Sequence, residues 1–189
     1  MKKINKSEPP KFFRDFIKKN KPVNWDGLQE IKPDLREHIL NSEQDFQCAY
    51  CESAITSNNT KSHIDHFKRK HYFPKLTFDY NNLLVSCNNY NHCASVKDSK
   101  VKSKEYYKNL INPVNDDPSA YFEYSVSGKL LSKNEKAIFT EETFNLNHPG
   151  LKRQRNDISY AVKAYKESLE LEEIIIEIGA HESFIRSIW

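Results

Sequence analysis

The chain has 189 residues, a net charge of only +3 and a mean hydropathy of −0.79, which fits one ordinary domain or a compact core with an appendage. It contains no run of about 18 apolar residues, which excludes a membrane-spanning helix. No apolar run follows the basic residues near Met1, so we expect no secretory signal. We therefore expect a cytoplasmic protein whose cysteines stay reduced.

The first 45 residues are predicted to form a helical extension. A helix is expected over residues 11–20, because four apolar side chains recur there at helical spacing: Phe12, Phe13, Phe16 and Ile17. A second helix is expected over residues 33–41, with Pro33 in its first turn, where proline is well tolerated. The aromatic stripe of the first helix is expected to pack on the core.

Residues 46–108 contain all four cysteines of the chain and four of its seven histidines. Cys48 and Cys51 are separated by two residues, and Cys87 and Cys93 by five. Paired cysteines in a reducing compartment favour a metal over disulfides, and four thiolates suit a structural zinc ion. His92 is an alternative ligand beside Cys93.

The elements between the cysteines are expected to be short. Residues 54–57 and 61–66 are predicted to pair as strands around a turn at Asn58 and Asn59. Residues 79–85 are predicted to form a helical or extended segment that carries Asn82, and residues 93–104 a polar, basic helix.

Asp65 and His66 form the reactive pair of this region. A neutral imidazole can take a proton from water near neutral pH, so His66 is a candidate general base. The carboxylate of Asp65 is a hard oxygen ligand of the kind that Mg²⁺ or Mn²⁺ prefers. The amide of Asn82 is expected to bind a neighbouring backbone carbonyl and to hold the loop of His66 in place.

Basic residues surround this pair, and the candidates for binding nucleic acid are Lys68, Arg69, Lys70 and Lys97. From residue 109 the chain is predicted to form a hairpin, with strands over residues 121–126 and 129–132, and then a long helix over residues 151–178. The acidic and apolar part of that helix, residues 168–178, suits either docking of a partner or packing on its own domain.

The order of these residues resembles that of the HNH endonucleases. The residues concerned are Cys48-Ala-Tyr-Cys51, Asp65-His66, Asn82-Leu-Leu, Cys87 with His92-Cys93, and Lys97. The likeness to the PtuB type, the HNH subunit of Septu and retron anti-phage systems, extends further along the chain. It includes the opening Met1-Lys-Lys-Ile-Asn-Lys, His63-Ile-Asp-His-Phe-Lys-Arg-Lys, Asn112-Pro, Tyr121-Phe-Glu-Tyr and Asn145-Leu-Asn-His-Pro-Gly-Leu-Lys-Arg-Gln-Arg155.

This resemblance implies a role for each matching residue. His66 corresponds to the general base, Asp65 to a ligand of the catalytic metal, Asn82 to the middle Asn and the four cysteines to the structural zinc set, while Lys97 is a candidate phosphate contact. The third HNH position departs from the pattern, because Ala94 and Ser95 follow the last cysteine. Ser95, Asp98, Asn91 or water are the alternatives for the missing oxygen.

The resemblance also implies a PtuA-like, SMC-family ATPase as partner and duplex DNA as the default substrate, with transfer RNA as the alternative. We therefore expect an α+β protein with a zinc-stapled ββα-metal core, flanking helices, a C-terminal hairpin and a long helix. The expected activity is hydrolysis of phosphodiester bonds with catalytic Mg²⁺ or Mn²⁺. The rival hypothesis is a zinc-knuckle module that binds nucleic acid or the ATPase without cutting.

Overall fold

The computed structural model describes all 189 residues as an α+β protein with two small antiparallel sheets and seven α-helices. In chain order the elements are α1 (Lys11–Asn20), α2 (Lys32–Ile39), β1 (Ser62–His66), β2 (Leu83–Cys87), α3 (Ala94–Lys100), β3 (Phe122–Tyr124), β4 (Leu130–Ser132), α4 (Glu135–Phe144), α5 (Pro149–Tyr165), α6 (Leu171–Ile178) and α7 (Glu182–Ile188). None of the helices combines the length and the apolar composition that crossing a bilayer requires.

The central sheet pairs β1 with β2 in antiparallel register, with Asp65 opposite Leu84 and His66 opposite Leu83. The predicted pairing of residues 54–57 with 61–66 is therefore wrong: Ala54 forms only an isolated bridge with Gln47. All five residues of β2 are buried, and a continuous apolar run of this kind favours a strand inside the core. That burial explains why β1 pairs with β2, although 16 residues separate the two strands in the sequence.

A buried glutamine joins the N-terminal helices to this sheet. The Gln44 amide accepts from the backbone N–H of Val85 at 2.8 Å and donates to the carbonyls of Val85 and Gln47 at 2.9 and 2.8 Å. The backbone N–H of Ala49 also donates to the Val85 carbonyl, at 3.0 Å. The turn of Cys48 and Cys51 is thereby fixed against the edge of β2.

The helix over residues 11–20 and the β3–β4 hairpin are confirmed, and α2 begins one residue before the predicted start. Two predicted helices are too long. The helix after Cys93 ends at Lys100, and the segment over residues 151–178 divides into α5 and α6. The division has a local cause, because Glu170 and Glu173 form a reciprocal capping box at the start of α6. Helix α4 was not among the predicted elements.

The C-terminal helices form a second, smaller core. Val162, Ile174 and Ile185 from α5, α6 and α7 bury one another there. Helix α5 is fastened to the hairpin by Arg155, which is buried and donates to the carbonyls of Gly128 at 2.6 Å and Leu146 at 2.9 Å. The central sheet and its cysteines belong to the larger core.

Candidate active site and metal centre

Four cysteine sulfurs meet between the central sheet and α3. The Sγ atoms of Cys48, Cys51, Cys87 and Cys93 all lie within 4.8 Å of one another, and all four residues are buried with free thiols. The Cys48 and Cys93 sulfurs are 3.8 Å apart, which is about the edge of a tetrahedron with metal–sulfur bonds of about 2.3 Å. The four residues therefore fit one structural metal ion such as zinc.

The backbone is arranged around these sulfurs at both cysteine pairs, which we call the first knuckle (Cys48 and Cys51) and the second knuckle (Cys87 and Cys93). Glu52, directly after the first pair, and Cys93, at the start of α3, both have φ of 63°. A positive φ of this kind costs a non-glycine residue about 1–3 kcal/mol unless its surroundings hold it. The N–H of Cys87 donates to the Cys48 sulfur at 3.3 Å, and the His92 Nδ1 atom lies 3.1 Å from the Cys93 sulfur. His92 thus contacts the cluster from its edge, and the four sulfurs complete the set without it.

The imidazole of His66 is held in one orientation at the end of β1. Its Nε2 atom lies 3.0 Å from the carbonyl of Thr77, and a carbonyl only accepts, so Nε2 carries the proton. The Nδ1 atom then carries the lone pair, and it has no partner in the protein. The edge of Trp25 packs on the ring at 4.6 Å between centroids. Burial lowers the pKa of His66, which favours the neutral form of the imidazole.

Asn82 fixes the loop that follows His66. Its Oδ1 atom accepts from the N–H of Lys68 at 2.8 Å, and its Nδ2 atom donates to the carbonyls of Lys68 at 3.0 Å and Leu76 at 3.2 Å. Leu76 directly precedes Thr77, whose carbonyl holds the imidazole. A single buried amide therefore sets the position of both ends of the loop around His66, as the sequence analysis expected of this residue.

Asn82→Ala is expected to lower the free energy of unfolding by about 1–3 kcal/mol, because the N–H and two carbonyls that it binds lose their partner. Urea unfolding followed by circular dichroism measures the change. Asn81→Ala is the matched control, since the Asn81 side chain is exposed and makes no hydrogen bond. Equal stabilities of the two variants would contradict this role of Asn82.

Asp65 lies on the opposite face of β1 from His66, because successive residues of a strand alternate. Its Oδ2 atom accepts from the hydroxyl of Tyr50 and from the Lys97 ammonium, the latter at 2.6 Å. Burial and the nearby Asp65 carboxylate raise the pKa of Tyr50 well above its usual value, so the hydroxyl stays protonated and donates. The two side chains therefore leave β1 on opposite faces of the strand, and the Asp65 carboxylate pairs with Lys97.

With the Lys97 ammonium in place, the surroundings of Asp65 do not fit the expected catalytic Mg²⁺ or Mn²⁺. The carboxylate is already neutralised by Lys97, and Ala94 brings no oxygen at the third position. Of the alternatives for that position, Asp98 approaches Asp65, with its Oδ1 atom 3.3 Å from the Lys97 ammonium. Asn91 is exposed at the surface. A divalent ion would have to take the position of the ammonium.

Lys97 also differs from its expected role as a phosphate contact. Its side chain has no exposed surface, and its ammonium is enclosed by oxygen atoms of the protein. The other basic candidates are more accessible. Lys70 is exposed, Lys68 is half-buried, and the Arg69 guanidinium is half-buried and donates to the Asp98 carbonyl at 2.7 Å.

Two basic residues of α2 extend this group of candidates: Lys32, beside the Trp25 ring that packs on His66, and Arg36, which lies near Lys32. The Lys32 ammonium lies 5.3 Å from the centre of the Trp25 ring, which itself packs on His66. Burial lowers the pKa of Lys32, and so do the nearby charges of Lys70 and Arg36, whereas Asp26 raises it. The Nε atom of Arg36 is buried without a hydrogen-bond partner. No local sequence signal marks these residues, because α2 and β1 meet only in the folded chain.

Comparisons with known proteins agree with the resemblance drawn from the motifs. The chain is 31% identical over 144 residues to Septu protein PtuB of Bacillus thuringiensis, covering 75% of this chain and 49% of that protein. It is 33% identical over 76 residues to the Retron Ec83 putative HNH endonuclease of Escherichia coli, covering 37% of this chain and 29% of that protein. No protein-family model matches the chain. The chain thus spans about half of the first relative and under a third of the second.

Proposed function

We propose that this chain, a relative of PtuB-type HNH endonucleases, is itself a nuclease that hydrolyses phosphodiester bonds of nucleic acid in anti-phage defence. In this proposal β1, β2 and α3 are the ββα-metal core, and the four cysteines hold a structural zinc. The observation that carries it is the geometry of His66. The imidazole is fixed through Nε2 and presents an unpaired Nδ1, which is the arrangement that a general base requires.

The proposed reaction needs a base, an activated water and a stabilised phosphate. The Nδ1 atom of His66 takes a proton from water as the oxygen attacks phosphorus, and the P–O bond to the leaving oxygen breaks. The leaving oxygen takes a proton from solvent water, and the protonated imidazole returns its proton to solvent after the product leaves. Thr77 keeps the ring oriented throughout, because its carbonyl binds the opposite nitrogen.

Basic side chains near His66 are proposed to grip the phosphate backbone. Lys68, Arg69 and Lys70 follow His66 along the chain, and Lys32 and Arg36 approach from α2. Like charges that lie this close repel one another, and an anion between them relieves the repulsion. Contacts of this kind bind phosphates without reading sequence.

Lys70→Ala is expected to weaken binding to duplex DNA and to reduce the slope of log K against log salt by about one, because one phosphate contact is lost. Fluorescence anisotropy with a labelled duplex over a range of salt concentrations measures both quantities. Lys108→Ala is the control, since Lys108 is exposed and its ion pair is with Glu105. An unchanged slope for Lys70→Ala would remove this residue from the interface.

Mg²⁺ or Mn²⁺ is the cofactor that the HNH resemblance implies. Such an ion would bind Asp65 only after displacing the Lys97 ammonium from it. Duplex DNA is the proposed substrate, with transfer RNA as the alternative, and a PtuA-like ATPase is the proposed partner. Helix α6 offers that partner an apolar side chain, Ile176, which is 80% exposed.

The test is an assay of the purified chain, alone and with the ATPase, on labelled duplex DNA and transfer RNA. It is run with Mn²⁺, with Mg²⁺ and with EDTA. New ends on either substrate support the nuclease. Binding without new ends under every condition supports the rival function, a zinc-knuckle module that holds nucleic acid or the ATPase.

A further inference from the structure

The Lys97 ammonium is enclosed by oxygen atoms at the end of β1. Its Nζ atom lies 2.6 Å from Oδ2 of Asp65, 2.9 Å from the carbonyl of His66 and 3.3 Å from that of Phe67. Oδ1 of Asp98 lies 3.3 Å from the same Nζ atom. The lysine side chain has no exposed surface, so this arrangement is an interior cation site that the chain fills itself.

The oxygens around Nζ are those that a hard divalent cation prefers, namely two carboxylates and backbone carbonyls. One of them, Oδ1 of Asp98, is buried and has no hydrogen-bond partner. The oxygen set is therefore not fully satisfied by the ammonium, which has only three protons to donate.

The small side chain of Ala94 explains how the ammonium reaches this position. Ala94 and Lys97 are three residues apart on α3 and so lie on one face of the helix. A long helical side chain lies over the turn that precedes its own Cα atom. A larger residue at position 94 would occupy that space. The departure from the HNH pattern at Ala94 therefore makes the burial of Lys97 possible.

We propose that the Lys97 ammonium and a divalent cation compete for one position between Asp65 and Asp98, and that Lys97 is the resident cation of the folded chain. Lys97 thereby sets the divalent-cation affinity of the centre. The inference deepens the proposed nuclease function and takes its biological meaning from it. Binding of the ion is nevertheless measurable without any cleavage.

The experiment titrates Mn²⁺ into the zinc-loaded full chain and follows free Mn²⁺ by electron paramagnetic resonance. Lys97→Met keeps the length of the side chain and removes its charge, so we expect it to bind one Mn²⁺ at least tenfold more tightly than the unchanged protein. The double variant Lys97→Met with Asp65→Asn should lose that gain. Lys100→Met, which removes an exposed lysine from the same helix, should bind Mn²⁺ like the unchanged protein.

Equal Mn²⁺ affinity of Lys97→Met and the unchanged protein would overturn the proposal, as would a gain that survives loss of the Asp65 carboxylate. If Lys97→Met does not fold, the unchanged protein provides the second measurement. Its Lys97 ammonium resonance, observed by NMR, should shift or vanish as Mg²⁺ is added. A resonance unchanged up to about 50 mM Mg²⁺ would also overturn the inference. If the divalent ion displaces Lys97 as expected but the protein cleaves no nucleic acid, the result would contradict the nuclease function and leave this inference in place.

Discussion

Cys48→Ser is expected to prevent the four-cysteine site from holding a structural metal such as zinc and to abolish the cooperative thermal unfolding of the central core. A strong chelator is expected to do the same to the unchanged protein. The chain has four cysteines in total, so no other thiolate can replace the one that is lost. The Cys48 sulfur also accepts the N–H of Cys87, so the same change removes a contact between the first knuckle and β2.

The size of this effect follows from comparing two free energies. Structural zinc contributes about 10–16 kcal/mol in small zinc-binding units at neutral pH. A whole domain is stable by only about 5–15 kcal/mol. Loss of the ion therefore removes about as much free energy as the whole free energy of unfolding of a domain. The small C-terminal core contains none of the ligands, so part of the helical signal should survive.

Elemental analysis and circular dichroism during heating measure the two consequences. The unchanged protein should contain about one zinc per chain, and Cys48→Ser should contain none. His92→Gln is the matched control, because this residue touches the sulfur of Cys93 and is not one of the four ligands. A Cys48→Ser protein that melts at the unchanged temperature would contradict a metal site here.

Local features of the chain were readable from the sequence, and pairings between distant segments were not. Helix α1 follows from its apolar spacing, and the β3–β4 hairpin follows from alternation around a glycine turn. The partner of β1 was assigned wrongly because turn residues at Asn58 and Asn59 favour a neighbouring strand. The observed partner, β2, is buried along its whole length in the core, and a local pattern does not reveal which strand pairs with it.

The same limit explains which parts of the site were foreseen. The four cysteines were foreseen as a metal-binding set because the residue type itself, arranged as two pairs, marks them in the sequence. Lys97, by contrast, has the sequence context of a basic surface helix, and only the position of α3 against β1 buries it beside Asp65. Trp25 and Lys32 reach His66 from a part of the chain more than 30 residues away.

His66→Ala is expected to reduce cleavage by about 10²–10⁴-fold, because it removes the group that takes the proton from the attacking water. The loss should appear in the cleavage rate under single-turnover conditions, while the affinity for duplex DNA should change little. Phosphate contacts dominate that affinity, and the basic side chains remain in place. Lys108→Ala should cleave at the unchanged rate.

The buried position of His66 makes a second measurement necessary, because an alanine leaves a cavity beside Trp25 that can disturb the fold. Added imidazole separates the two causes. A base supplied from solution can enter that cavity and restore part of the cleavage rate, whereas it has no means of restoring a loop that has moved. Asn82→Ala provides the opposite case. In this variant the loop after His66 is disturbed while the His66 imidazole is intact, so added imidazole should leave the cleavage rate unchanged. Full cleavage by His66→Ala, or equal rescue of both variants, would show that His66 is not the base.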